Sequence, residues 1–315
     1  MTDTAPQEVP ANEEAPPPDP WLEGFEARQF EVNGVASFVR FGGRRRKPAL
    51  VLLHGFPQTH VMWMRVAREL KNDFFIVMPD LRGYGDSDHA PGLHDHSNYS
   101  KRVMAQDVVA VVKALGVASY FVCGHDRGAR VAHRLALDNP QRVKKLCLID
   151  IAPTLDMYAR TDLDFARAYY HWFHLIQPKP LPEAMIGGNA RGYLHTKLRS
   201  WGSNGLTHIE PRALTEYEHC FCRPEAIHTA CEDYRASAGI DLVHDRASRA
   251  RGDKIACDTL VLWGERGLVQ ELFNPLALWQ AQCAGKVTGT AMPAGHFIPE
   301  ELPHATAMAI RQFFV

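Results

Sequence analysis

Short apolar runs recur along the chain and predict strands that are buried on both faces of a sheet. Continuous runs of this length are typical of a parallel sheet, because helices cover both of its faces. The strongest runs are Ala49–Leu53, Phe74–Met78, Tyr120–Cys123, Val143–Ile149 and Thr259–Trp263, and a weaker one is Val287–Ala291.

Segments with a helical spacing of apolar residues separate these runs. They are Val61–Leu70, Lys101–Leu115, Ala129–Asp138, Pro275–Cys283 and Ala305–Phe314. Strands that alternate with helices predict an α/β fold with a mostly parallel, doubly wound sheet.

An antiparallel hairpin is predicted in front of the parallel strands. Two short alternating segments, Phe30–Val32 and Ala36–Phe41, are separated by Asn33-Gly34. Asn-Gly between such segments is a strong signal for a two-residue hairpin turn.

The alternation stops in residues 152–248, which are helical in character and rich in aromatic residues and histidine. An insertion between two core strands predicts a helical cap over the carboxyl edge of the sheet, where open α/β sheets bind ligands. The predicted core is then 21–151 together with 249–315. Residues 1–20 are rich in proline, alanine and acidic residues, and we predict that they are disordered.

The composition predicts a soluble, cytoplasmic protein. The chain has 315 residues, 46% of them hydrophobic, which is enough for one large core. No apolar run approaches the length of a membrane span, and the first residues lack the basic-then-apolar order of a signal peptide. The seven cysteines are scattered, so no disulfide framework is expected.

The charge pattern argues against a nucleic-acid partner. The formal net charge is -1, and the only basic cluster is the short run Arg44–Lys47, which is typical of a solvated turn. Sixteen histidines are present without a recognisable metal-binding spacing, so no metal site is predicted.

The segment Gly124-His125-Asp126-Arg127-Gly128 is the most informative in the chain. It joins a predicted strand to a helix that we expect to begin near Gly128. This is the Gly-x-nucleophile-x-Gly elbow of α/β-hydrolases with aspartate at the centre. The helix dipole would keep that carboxylate ionised. The alternative is an aspartate that only caps the helix.

Two further segments supply partners for Asp126. The loop His54-Gly55-Phe56-Pro57 follows the first buried strand, and in this fold such a loop donates a backbone N–H to an oxyanion. The amides of Phe56 and Arg127 are therefore the predicted oxyanion donors. His296 lies on a loop after the last strand, where the fold keeps its base.

The acid that orients His296 has two candidates. The frequent position, a few residues after Gly264, holds Gly267 or Leu268. Asp150 ends the strand that follows the nucleophile, and a buried aspartate there needs a partner such as an imidazole N–H. We favour Asp150 and keep Glu265 as the alternative.

These motifs resemble those of the fluoroacetate dehalogenases, a branch of the α/β-hydrolases. The resemblance rests on four segments and extends from about residue 21 to the C-terminus. The segments are Gly124–Arg130 with Asp150–Thr154, His54–His60 with Met62-Trp63, His171-Trp172 in the cap, and Gly295–Phe297.

The resemblance implies a role for each matching residue, a homodimer and no cofactor. The implied roles are Asp126 as nucleophile, His296 as base, Asp150 as acid, Arg127 and Arg130 as ligands of a substrate carboxylate, and His171, Trp172 and Tyr234 as ligands of the leaving halide. Independently, Arg127 and Arg130 are three residues apart on a helix, so they share a face and suit a carboxylate.

The function predicted from these residues is hydrolysis of a short 2-haloacid such as fluoroacetate to glycolate and halide, through an ester on Asp126. An epoxide hydrolase is the main alternative, because it shares an aspartate nucleophile and the cap holds many tyrosines. A ligand-binding protein without catalytic activity is a third possibility. The choice between fluoride and chloride depends on pocket volume, which residue patterns do not encode.

Overall fold

The computed structural model describes residues 22–315, within which eight strands form one sheet. The predicted disordered segment, residues 1–20, lies outside the described residues. The strands are β1 (Phe25–Val32), β2 (Val35–Gly43), β3 (Ala49–Leu53), β4 (Phe75–Pro79), β5 (Tyr120–His125), β6 (Val143–Ile149), β7 (Asp258–Gly264) and β8 (Val287–Met292).

The sheet is mostly parallel, which confirms the predicted fold class. Its strand order is β1-β2-β4-β3-β5-β6-β7-β8. Strands β3 to β8 pair in parallel, whereas β1 and β2 are antiparallel to each other and β2 is antiparallel to β4. The central position of β5 brings the elbow at its carboxyl end to the middle of the sheet edge.

The hairpin turns at Asn33 and Gly34, which both have positive φ angles, 48° and 76°. A two-residue turn of this kind matches the twist of the flanking strands. Strand β1 begins at Phe25 rather than at the predicted Phe30, because most of its residues are exposed and polar and so hide the strand pattern.

Fifteen α-helices lie within residues 22–315. They are α1 (Met64–Leu70), α2 (Lys101–Ala114), α3 (Asp126–Asp138), α4 (Thr154–Ala159), α5 (Leu163–Ala168), α6 (Tyr170–Leu175), α7 (Leu181–Gly187), α8 (Ala190–Trp201), α9 (Pro211–Phe221), α10 (Pro224–Ala238), α11 (Ile240–Ala250), α12 (Leu268–Leu272), α13 (Pro275–Gln282), α14 (Ile298–Glu301) and α15 (Pro303–Phe314). None of these helices is long and apolar enough to cross a bilayer.

Helices α4 to α11 follow one another between β6 and β7, in the stretch where the sequence predicts a cap. The last of them, α11, crosses the predicted boundary at residue 248 and ends at Ala250. The cap packs on the loop after β3, where the Phe56 ring contacts Trp201, Phe221 and Tyr234 at centroid distances of 6.2, 5.8 and 5.4 Å. These contacts close the carboxyl edge of the sheet beneath the cap.

Candidate active site

Asp126 occupies a sharp elbow between β5 and α3. The helix begins at Asp126 itself, not near Gly128, because the elbow residue already forms the first turn. Its φ angle is 45°, in the left-handed region that side chains with a Cβ rarely adopt. A Cβ on Gly124 would lie 2.6 Å from Ala129 Cα, and one on Gly128 would lie 2.3 Å from the His54 carbonyl. Only glycine fits on both sides of Asp126.

The loop after β3 provides a hydrogen-bond donor for Asp126. The Phe56 amide donates to Asp126 Oδ2 at 3.0 Å. The amide of Arg127 lies in the first turn of α3, where backbone N–H groups have no partner within the helix. Both predicted oxyanion donors therefore come from backbone next to the carboxylate.

His296 forms a pair with Asp150. Its Nδ1 lies 2.5 Å from Asp150 Oδ2, and the other carboxylate oxygen accepts from the Gly264 amide at 2.9 Å. Asp150 is buried and has a φ angle of 53°, whereas Glu265 is exposed. The structure thus brings Asp150 to the histidine and leaves Glu265 in solvent.

The charged groups of this site shift one another's pKa values toward the ionised forms. Burial alone would lower the pKa of His296, but the hydrogen bond and charge of Asp150, with the charge of Asp126, raise it above 6.5. Burial alone would raise the pKa of Asp126, but His296 and Arg130 hold it below its ordinary value. Asp126 is therefore an anion at neutral pH.

His125 is a functional neighbour that the sequence analysis missed. Its Nε2 donates to the backbone carbonyl of His296 at 2.8 Å, and the two rings are 4.6 Å apart. Burial lowers the pKa of His125 to about 3, so the ring is neutral. Its position in the elbow, next to Asp126, was the only signal available in the sequence.

The side chain of Arg127 is buried and is held by an acid of the cap. Its Nε and Nη2 donate to the carboxylate of Asp233 at 2.9 and 2.8 Å. The guanidinium lies over the Tyr234 ring, 4.1 Å from its centroid. Nη1 is buried without a hydrogen-bond partner. Sequence analysis missed Asp233, since 106 positions separate it from Arg127.

Arg130 is also buried, but it makes no ion pair with a carboxylate of residues 22–315. Its Nη1 donates to Thr154 Oγ1 at 2.9 Å, and its guanidinium carbon lies 4.9 Å from the Trp172 ring centroid. Its Nε is buried without a partner.

The three cap residues that the resemblance assigns to a halide lie together. The Tyr234 ring centroid is 5.7 Å from His171 and 6.5 Å from Trp172. Burial and the charge of Lys197 lower the pKa of His171 well below its ordinary value. Burial and the charge of Asp126 raise the pKa of Tyr234. Imidazole and phenol are therefore neutral, and His171 Nδ1 is buried without a partner.

A cavity of about 360 Å³ joins the reactive groups to the cap. Asp126, Asp150 and His296 line this cavity together with His171 and Trp172 of the cap. Tyr169 and Trp201 also line it, and the sequence patterns did not indicate them. Arg127, Arg130 and Tyr234 are buried beside these residues but are not part of the cavity lining.

Within residues 22–315, one group of side chains has the spacing of metal ligands. Asp86, Glu216 and Cys220 place potential ligand atoms within 4.8 Å of one another. Burial raises the pKa of Cys220, which keeps the thiol protonated, and only a thiolate binds metal well. None of these three residues lines the cavity that contains Asp126.

Residues 48–302 match the family of proteins with the α/β hydrolase fold. The chain therefore belongs to the α/β-hydrolase family.

Within that family the chain is similar to the fluoroacetate dehalogenase of a Burkholderia species, which confirms the predicted resemblance. The two are 41% identical over 93% of this chain and 94% of that protein. A soluble epoxide hydrolase from Corynebacterium sp. (strain C12) is 30% identical over 84% of this chain and 89% of its own length. A solved structure from Nostoc sp. PCC 7120, described as an α/β hydrolase, has a TM-score of 0.90 and 50% identity, covering 93% of this chain and 99% of that one.

Proposed function

We propose that the protein hydrolyses short 2-haloacids such as fluoroacetate, and that Asp126 attacks the carbon that bears the halogen. The observation that carries this proposal is a pair of buried guanidinium nitrogens without partners, Arg127 Nη1 and Arg130 Nε. Both guanidinium groups lower the pKa of Asp126, so they lie within electrostatic range of the nucleophile.

Unpartnered donors in a buried site are costly, and a substrate carboxylate would satisfy them. Leaving a buried polar group without a hydrogen bond costs about 1–3 kcal/mol, and more for a charged group. A carboxylate accepts several N–H bonds and matches the geometry of guanidinium groups. The site therefore suits a small anionic substrate.

The first chemical step would form an ester. A carboxylate oxygen of Asp126 attacks the carbon in line, and the carbon–halogen bond breaks with both electrons leaving on the halide. The neutral N–H and O–H groups of His171, Trp172 and Tyr234 would stabilise the charge that develops on the halogen.

The second step would hydrolyse the ester. His296 removes a proton from water, and the water oxygen attacks the carbonyl carbon of the Asp126 ester. The oxyanion that forms there faces the amides of Phe56 and Arg127. Collapse releases glycolate from fluoroacetate and regenerates the Asp126 carboxylate. The scheme uses no cofactor and no metal.

An epoxide hydrolase activity is the second candidate, supported by the relative at 30% identity. Such an enzyme would use the same nucleophile and base, with cap tyrosines that protonate the opening oxygen. Tyr169 and Tyr234 lie on the cap side of the site. An uncharged epoxide would leave the free N–H groups of Arg127 and Arg130 without acceptors, which disfavours this reading.

Release of halide from a short haloacid series tests the proposal. Fluoride and chloride would be measured with fluoroacetate, chloroacetate and 2-chloropropionate, and diol formation would be measured with styrene oxide. We expect halide release from the two haloacetates and much less turnover of the epoxide. Diol formation without halide release would contradict the proposal, and so would the absence of both.

A further inference from the structure

Asp233 accepts hydrogen bonds and forms ion pairs with three different side chains near the site, and neither step of the proposed reaction uses it. It lies in α10 next to Tyr234 and is fully buried. Besides Arg127, it accepts a hydrogen bond from the Tyr84 hydroxyl at 2.6 Å and forms an ion pair with Lys101. Asp233 therefore connects the cap to the elbow and to α2 of the core.

The contacts with Asp233 determine which guanidinium nitrogen of Arg127 is left without a hydrogen-bond partner. Nε and Nη2 both donate to the carboxylate, and Nη2 also donates to the Asp233 backbone carbonyl at 3.0 Å. Nη1 is the nitrogen left over. A guanidinium is planar and rigid, so fixing two of its nitrogens fixes the direction of the third.

The same pair also determines how charge is distributed around the nucleophile. Asp233 offsets part of the charge of Arg127, because it also pairs with Lys101, whereas Arg130 has no carboxylate partner among residues 22–315. Arg130 therefore supplies the larger share of the attraction for an anionic substrate. Arg127 supplies a directed donor whose charge is partly offset.

We propose, building on the proposed function, that Asp233 is a positioning residue that turns Arg127 Nη1 toward the substrate and prevents Arg127 from pairing with Asp126. Without Asp233, the full charge of Arg127 would act on the Asp126 carboxylate. A carboxylate in a close ion pair is a weaker nucleophile, because the positive charge stabilises its electrons in the ground state more than in the transition state.

This role makes a specific kinetic prediction for Asp233→Asn with chloroacetate as substrate. The substitution should lower kcat by about tenfold or more, because Asp126 becomes a weaker nucleophile and Arg127 Nη1 is no longer held toward the substrate. KM should stay about the same or fall, because the uncompensated Arg127 charge still attracts the anion. An increase in KM with an unchanged kcat would overturn the proposal.

A double-mutant cycle with Arg127→Gln separates positioning from simple structural support. If Asp233 acts through Arg127, Asp233→Asn should change kcat by less than about twofold once Arg127 is replaced. If the two substitutions instead lower kcat by independent factors, the proposal is wrong.

The chain offers a matched control in another buried bidentate pair. Arg82 donates to Asp107 through Nε and Nη2 at 2.8 and 2.9 Å. Asp107→Asn should lower the melting temperature and leave kcat and KM unchanged. If Asp233→Asn has the same effect and no more, its role is structural and the proposal fails.

A second variant keeps the test possible if Asp233→Asn does not fold, because that substitution leaves buried Lys101 with only its more distant partner Asp241, at 3.7 Å. The double variant Lys101→Met with Asp233→Asn removes one charge of each sign, and it would be compared with Lys101→Met alone. The same fall in kcat is expected, and equal kcat values would overturn the proposal. Halide release by the unmodified protein tests the proposed function separately, so failure of one is distinguishable from failure of the other.

Discussion

At the residue scale, the site is organised around one ionised carboxylate. Asp126 is buried, yet His296 and Arg130 hold its pKa low, and the Phe56 amide donates to it. Burial of a charge is tolerated where opposite charges and hydrogen bonds compensate for lost solvation. The same groups that stabilise this anion are the ones that the proposed chemistry needs.

Arg130 should control the affinity for the substrate carboxylate. Replacing it with glutamine removes the one guanidinium near Asp126 that lacks a carboxylate partner within the described residues. A charged hydrogen bond is worth about 1.5–3 kcal/mol, so KM for chloroacetate should rise by about ten- to a hundredfold. Chloroacetamide, which carries no charge, serves as the control substrate. An equal rise in KM for both substrates would contradict this role.

The pH dependence of turnover should report the pair of His296 and Asp150. His296 acts as a base only when its ring is neutral. Its pKa is raised above the ordinary 6.5, so kcat should fall as the pH drops through this raised pKa. Asp150→Asn removes the partner that stabilises the imidazolium. The acid limb of the kcat profile should then move to lower pH, and kcat itself should fall. A limb that keeps its position would remove Asp150 from this role.

At the element scale, buried polar contacts join the loop after β3, the short helix α14 that follows β8, and the cap helix α9. Glu300 in α14 accepts a hydrogen bond from Tyr217 of α9 at 2.9 Å and contacts the Gln58 amide of the loop after β3. That loop also carries the Phe56 donor. Burial raises the pKa of Glu300 to about 8 despite these hydrogen bonds, so the side chain is mostly protonated at neutral pH.

Glu300 should make the folded state less stable as the pH rises. Its pKa is about 8 when folded and near the ordinary 4.5 when unfolded, so the folded state binds the extra proton between these values. The stabilisation is complete below pH 4.5 and is lost as the pH rises through 8. Melting temperatures at pH 5 and pH 8.5 would show a smaller decline for Glu300→Gln than for the unmodified protein. Equal declines would contradict this assignment.

The sequence predicts most accurately those strands that are marked by a continuous apolar run. The bounds of β3 and β6 agree with their apolar runs because both faces of these strands are buried. The start of α3 was predicted too late, because a glycine-flanked elbow shows no helical spacing. The pair of Arg127 and Asp233 left no trace in the sequence, since nothing local indicates a contact across 106 positions.

At the scale of the whole molecule, the core carries Asp126, Asp150 and His296 together with the two arginines of α3, and the cap carries His171, Trp172 and Tyr234. The cavity lies between the two and is lined by residues of both.

A homodimer is the predicted state of the molecule, from the resemblance to the fluoroacetate dehalogenases. The cap exposes several large apolar side chains, including Leu163, Leu181 and Met185 on α5 and α7, and association would remove such groups from water. Light scattering after size-exclusion chromatography should give twice the mass of one chain at micromolar concentration. The mass of a single chain at every concentration would contradict the prediction.

The central claim is that the halogen leaves when Asp126, and not water, attacks carbon. Single turnover in water enriched with oxygen-18, with enzyme in excess over chloroacetate, tests it most directly. The ester route predicts that the label enters the Asp126 carboxylate, detected in the peptide that contains it, while the glycolate formed in that turnover stays unlabelled. Label in glycolate, with none in Asp126, would show direct attack by water and contradict the account.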